Sequence, residues 1–215
     1  MATKSFGQDI CVFTETHQTG EFKILDERKD LPESSELEGW TFIHSGVAKK
    51  AYAGVGVPGS PNVQYIAHRV IEAGRILRTR LKFRGVKILL FAVYAPTNTQ
   101  SDAAKSNFFN RLARAVAHGK KQHPRWPRLI IGVLNSTLGI DAPLSHYIGS
   151  HNLDTVKTTN NGFRITEFFE SNQMYALNTL FQVKKPIHRI THINSEDPRS
   201  ASTTSLRICG SGAHA

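Results

Sequence analysis

The stretch RILRTRLKFRGVKILLFAVYAPTN, residues 75–98, constrains this chain more than any other. Leu77, Thr79, Leu81 and Phe83 alternate with Arg78, Arg80, Lys82 and Arg84, the period-two pattern of a strand with one face in a core and one in water. Arg84-Gly85 supplies a turn, and VKILLFAVYAP returns as a buried strand that Pro96 stops. A hairpin with one all-apolar arm needs a second layer to cover it, so the chain folds around a sheet.

The flanking text supplies that layer. ICVFTET (10–16) reads as a buried strand with Glu15 at its carboxyl end, and residues 40–48 and 51–57 read as strands around a Lys49-Lys50 turn. Residues 20–40 are acidic and turn-rich, a surface loop, and PGSPN (58–62) is another. Ser101-Asp102 caps an amphipathic helix, DAAKSNFFNRLARAVAHG, with Phe108, Leu112 and Val116 on one face and Gly119 as its carboxyl cap. After the basic loop KKQHPRWPR, LIIGVLN is a further buried strand. Residues 163–177 form a second helix with Ile165, Phe168 and Phe169 inward, TLFQV (179–183) is a strand, and residues 200–215 are a frayed tail. Strands interleaved with helices predict a mixed sheet flanked by helices in one domain over 9–199.

Charge narrows the function classes. Lys and Arg number 27 against 17 Asp and Glu, and the excess is uneven: residues 1–40 hold nine acids and four Lys/Arg, the remainder eight acids and 23 Lys/Arg. A basic body suits a polyanion such as nucleic acid, or is a solvated surface. No apolar run approaches the roughly 20 residues of a membrane helix. Two cysteines, Cys11 and Cys209, make neither a disulfide framework nor a zinc-ligand spacing, and the amino terminus lacks a secretory pattern, so the expectation is an intracellular protein. GVGVPG at 54–59 matches a dinucleotide-binding pattern, but Pro58 and Pro61 forbid the helix that such a loop must open, so it reads as a Gly-rich strand end. His188 and His192 lie in IHRITHI, which alternates like a strand and does not present a zinc-ligand helix.

Taken in order, DICVFTET, AKKAYAGVGV, GRILRTRLKFRGVKILLFAVYAPTN, LIIGVLNSTLG, NNGFRITEFFESNQMYALNTLFQ and KPIHRITHINSEDPR resemble the endonuclease/exonuclease/phosphatase (DNase I-like) superfamily, in its retrotransposon-endonuclease and craniofacial development protein 2-like branch. The resemblance implies a four-layer α/β sandwich of two mixed sheets with helices outside, and Mg²⁺-dependent hydrolysis of a DNA phosphodiester. It implies that Glu15 binds the metal, that Tyr94 and Asn135 act on the phosphoryl group, and that Asn98 and Thr191 contact the substrate.

The departures from the family pattern carry equal weight. Val133 stands where the family's Gly-Asp-Phe-Asn turn has its aspartate, His192 where a tryptophan follows the threonine, and Ser205 near a further aspartate. The strand expected before DICVF and the terminal strand with its Asp-His pair have no counterpart, so the fold is expected to be incomplete at both ends. Loss of one acid–base group costs about 10²–10⁴ in rate. Two classes follow. One is a divergent Mg²⁺ nuclease that keeps Glu15, Tyr94 and Asn135 and recruits another acid, such as Asp141 or Asp154. The other is a non-catalytic, retrotransposon-derived domain that binds DNA through its basic surface (Arg78, Arg80, Lys82, Arg84, Lys120, Lys121, Arg125 and Arg128), or an unselected fragment.

Overall fold

The computed structural model describes residues 9–20, 23–24, 40–48, 50–151, 153, 155–182, 192–193, 201–202 and 208–210. They fall into two compact units that divide at the Tyr94–Ala95 peptide bond.

Among its described residues the first unit has strands and turns. β1 (Phe13–Thr14), β2 (Lys23–Ile24), β3 (Thr41–Val47) and β4 (Lys50–Gly59) form an antiparallel sheet in the order β1-β4-β3-β2. β5 (Val63–Glu72), β6 (Ile76–Phe83) and β7 (Val86–Tyr94) form an antiparallel meander that packs on β3 and β4. Ile43, Val55 and Val57 from the one layer and Leu77, Leu81 and Leu90 from the other are buried between them. The hairpin is where the sequence places it. Arg84 (φ 48°) and Gly85 (φ 84°) are both left-handed, as a two-residue turn matched to the strand twist requires, and Phe83 faces Val86 across it.

Three features differ from expectation, each for a physical reason. The segment around Glu15 is a strand of only two residues with Phe13 exposed, so Glu15 does not end a buried strand. β5 escapes the sequence pattern because register shifts between Tyr65 and Ala67 and between Val70 and Glu72 break its period-two alternation. Arg78 is buried at 8 % exposure, against the half-exposed pattern of its strand, while Lys82 and Arg84 are exposed. The Gly-rich motif is strand interior, as its prolines demand. A Cβ on Gly56 would stand 2.6 Å from the Phe42 ring, so glycine is there to admit an aromatic side chain and not a phosphate.

Among the described residues the second unit carries the helices: α1 (Asp102–Gln122), β8 (Arg128–Val133), α2 (Asn160–Asn172), β9 (Met174–Ala176), α3 (Leu177–Leu180), β10 (His192–Ile193), β11 (Ala201–Ser202) and β12 (Ile208–Gly210). β12 pairs antiparallel with β8 on one side and β9 on the other, and β10 pairs with β11. Residues 201–202 and 208–210 are thus strand within a stretch whose composition reads as tail. Helices α1 and α2 pack through Phe109 and Phe168, whose ring centroids lie 6.4 Å apart, and Phe108, Leu112 and Val116 are buried as the helical period requires.

Ser101 caps α1 through its Oγ, which accepts from Ala104 N at 3.2 Å. The helix runs past Gly119, however, and ends only at His123, which precedes Pro124 and therefore leaves the helical region. α2 starts at Asn160, three residues before the sequence suggests. Its first turn is packed so closely that a Cβ on Gly162 would collide with the Thr137 carbonyl, and this tertiary contact overrides the poor helix propensity of Asn-Asn-Gly. It ends where Gln173 turns left-handed (φ 52°), and the strand expected over 179–183 is instead a helical turn at 177–180 preceded by β9. Sheets with helices make this an α/β sandwich, the expected fold class. Among the described residues no helix is long and apolar enough to cross a membrane.

Candidate functional site

In the first unit the end of β7 gathers the chemistry. Tyr94 Oη donates to Glu15 Oε1 at 2.5 Å. The Arg75 guanidinium lies 5.5 Å from the centre of the Tyr94 ring and donates to the Tyr94 carbonyl at 3.2 Å. Phenol, carboxylate and guanidinium therefore meet at one strand end, with Glu15 exposed. Glu15 is carried on an irregular segment in which it (φ 54°) and His17 (φ 52°) are both left-handed. Between them, Thr16 Oγ1 is hydrogen-bonded to the buried His44 Nε2 at 2.7 Å, and a Cβ on Gly54 would collide with that same oxygen. A left-handed non-glycine residue costs roughly 1–2 kcal/mol, so two in three residues persist only because Thr16 is clamped between β3 and β4.

In the second unit the end of β8 gathers amides. Asn135, left-handed at φ 46°, donates through Nδ2 to the Ala95 carbonyl at 2.7 Å. Its own carbonyl accepts from Asn98 Nδ2 and from Asn161 Nδ2, both at 2.9 Å. Asn161, fully buried, donates from Nδ2 to the Pro96 carbonyl at 2.8 Å, and its backbone N–H donates to Asn98 Oδ1 at 3.1 Å. The Ala95 N–H donates to the Val133 carbonyl at 2.8 Å. These bonds splice the 95–98 segment to the strand end through side chains that substitute for a sheet ladder. Val133 itself is half-buried and offers only its main chain.

The remaining sequence candidates are dispersed. Asp141 is exposed and its Oδ1 accepts both the N–H and the hydroxyl of Thr158 at 2.7 Å, which holds its carboxyl below the ordinary range. Its role is to pin one loop to another. Asp154, His188, Thr191 and Ser205 lie outside the described residues. Of the cations read as surface, Arg128 is buried at 2 % exposure, and desolvation lowers its pKa, as it does for Arg78. Asn161 and Arg75 were not singled out from sequence. The first sits in an apparent turn motif and the second outside the alternating run, and only tertiary structure shows what they touch.

No protein-family model matches the sequence, and no curated protein matches it either. Solved structures do. The catalytic domain of Xenopus laevis APE2 matches 96% of this chain and 75% of its own length at 16% identity, with a TM-score of 0.63. The endonuclease domain of TRAS1, a telomere-specific non-LTR retrotransposon, matches 97% and 75% at 12% identity and a TM-score of 0.59. The 3′ phosphatase NExo from Neisseria, solved with a product DNA hairpin, matches 94% and 76% at 14% identity and 0.57. The chain has the DNase I-like fold. This is the fold of the endonuclease/exonuclease/phosphatase superfamily, as the collinear sequence motifs imply. Three Caenorhabditis elegans TDP2 structures match only 62% of the chain at a TM-score of 0.46, and the chain spans 51%, 40% and 39% of their lengths.

Superfamily resemblance implies Mg²⁺ in this DNase I-like domain, so the donors must be weighed. Glu15 offers one carboxylate, one of whose oxygens already accepts from Tyr94. Among the described residues no three of His, Cys, Asp and Glu come together. Mg²⁺ takes one or two carboxylates and draws its other ligands from water and phosphate. One partly engaged carboxylate does not build a resident centre.

Proposed function

We propose that this chain is a DNA-binding domain on a retrotransposon-derived phosphodiesterase scaffold whose cleavage chemistry is impaired. The observation that carries the reading is the end of β8. Val133 occupies the position at which the family pattern has an aspartate, and a valine accepts no proton, orients no water and binds no cation. Its surroundings reinforce the point. Asn135 Nδ2 donates into the main chain of 95, and Asp141 is engaged by Thr158, so neither is poised to replace the missing acid. The DNA part of the reading rests on the basic body and on the exposed Lys82, Arg84, Lys120, Lys121 and Arg125. Thr191 belongs to the same proposal as a substrate contact by its motif alone.

One arrangement favours the second reading, a divergent Mg²⁺ nuclease. The Glu15–Tyr94–Arg75 group keeps three side chains able to grip a phosphate and its counter-ion. A plasmid-nicking assay separates the two. We expect equal, background nicking in Mg²⁺ and in EDTA, unchanged in Glu15→Ala, together with salt-sensitive DNA binding. Nicking that requires Mg²⁺ and vanishes in Glu15→Ala would establish the nuclease instead.

A further inference from the structure

The cationic strand β6 does not serve the phosphate that Tyr94 would meet. β7 runs nine residues from the hairpin tip to Tyr94, so the tip lies about 26 Å from that tyrosine at a rise of ~3.3 Å per residue. Lys82, Arg84 and Lys87 cluster at the tip, with Lys82 directly opposite Lys87. Register also places Arg69 of β5 opposite Arg78, and Phe91 of β7 on the other side of Arg78. Residues opposed in this way share a face of the sheet. Arg69, Arg78, Arg80, Lys82 and Lys87 therefore project from one side of the meander, and Arg84 stands at its end.

That face is divided. Arg78, Leu89 and Phe91 are buried and Arg80 is partly so, while Arg69, Lys82, Arg84 and Lys87 are exposed along the β5 edge and the tip. Among the described residues Arg69, Arg80 and Lys82 make no ion pair. The nearest acid in register is Glu72, opposite Ile76 at the far end of the ladder, and one further acid, Asp9, lies near enough to Arg84 to feel its charge, so the cations outnumber the acids around them. A face that is merely solvated mixes both signs, because like charges held together destabilise the free protein. Burial, with repulsion from Arg69 and Arg80 added, lowers the pKa of Arg78, a sign of that crowding.

We infer that the exposed cations along the β5 edge and the hairpin tip of the meander, Arg69, Lys82, Arg84 and Lys87, bind the phosphate backbone of DNA remote from the Tyr94 end, as an accessory track that holds flanking duplex. The inference rests on the DNA-binding reading above and deepens it by naming the surface.

The test is a fluorescence-anisotropy titration of the full chain with a labelled 30-base-pair duplex over a series of salt concentrations. Two double variants with equal charge change are compared: Arg69→Glu with Lys87→Glu on the proposed face, and Lys120→Glu with Lys121→Glu at the end of α1. The first is expected to weaken binding at least about tenfold more than the second, and to lower the slope of log affinity against log salt by about 2, near one unit per lost phosphate contact. The neutral pair Arg69→Gln with Lys87→Gln should lower the slope equally, which keeps the result independent of any effect of two new carboxylates on folding. Equal weakening by both double variants, or wild-type slope in the Gln pair, overturns the track while leaving DNA binding intact. Absence of wild-type affinity for the duplex overturns both.

Discussion

Two strand ends, β7 and β8, carry the polar residues that match the family motifs, and the two are bonded in opposite ways. At the end of β7 the polar groups are side chains bonded to side chains. Tyr94 donates to Glu15, an exposed carboxylate, and Arg75 stacks on the ring. At the end of β8 the polar groups are side chains bonded to main chain. Asn135 and Asn161 donate to the carbonyls of Ala95, Pro96 and Asn135 itself. The first arrangement leaves charge facing water, where a ligand can compete for it. The second uses amides as structural ties. Retained side-chain types therefore say little about retained chemistry unless their partners are known. An asparagine at the end of β8 matches the family motif and still acts here as a splice between segments.

The comparison breaks most visibly at Asn161. If the β8 end is structural, Asn161→Leu, which removes the donor to the buried Pro96 carbonyl and one of the two donors to the Asn135 carbonyl, destabilises the fold by about 1–3 kcal/mol, the cost of a buried group left unpaired. Chemical denaturation at neutral pH checks this, and a loss below ~1 kcal/mol would mean that the ties carry no stability. Asn135 should follow with a smaller effect. Asn135→Gly keeps the left-handed backbone and loses only the bond to Ala95, for about 1 kcal/mol. Asn135→Ala adds strain, and the difference between the two variants isolates it.

How far the sequence foretells this contrast depends on whether the relevant signal is local. The hairpin was fully legible because alternation, the Arg-Gly turn and Pro96 act within a few residues of one another. β5 was not, because its two bulges displace the pattern that alternation would show. The helix ends were misplaced by three residues each, at Gly119 and Phe163, because the true stops are Pro124 and a packed Gly162. At the site, Glu15, Tyr94, Asn98 and Asn135 could be named from motif position. The structure brings Glu15 together with Tyr94 and Asn98 together with Asn135. Their donors and acceptors could not be read in advance, because the partners are carbonyls of residues 95, 96 and 135, and a backbone carbonyl has no sequence signature. The same limit hid the burial of Arg78 and Arg128, which a count of surface cations includes wrongly.

The β7 end should behave in the reverse manner. Tyr94→Phe deletes a hydrogen bond to an exposed carboxylate, so stability should fall by less than about 1 kcal/mol. The affinity for DNA should change by more than that figure predicts if this end meets phosphate. A Tyr94→Phe variant as unstable as Asn161→Leu would erase the distinction between the two strand ends.

The smallest effect belongs to Asp141, and pH gives it a sign that no other position shares. Hydrogen bonds from the Thr158 side chain and backbone hold its carboxyl below the ordinary aspartate range. A carboxylate whose folded pKa lies below its unfolded one stabilises the fold above the unfolded value, and that contribution disappears as pH falls through the folded value. At pH 7 Asp141→Asn should therefore lower the thermal midpoint slightly. As the pH falls from 4 into the range below the folded pKa, the wild type loses its advantage and the two midpoints converge. Gly139, six residues beyond the end of β8, joins the same tie, its N–H donating to the Thr158 hydroxyl at 3.0 Å. Convergence at low pH with Asn161→Leu still fully destabilised would separate the two supports, one electrostatic and at the surface, the other amide-based and buried. A pH-independent gap for Asp141→Asn would show instead that the side chain acts there through shape and hydrogen bonding alone, without its charge.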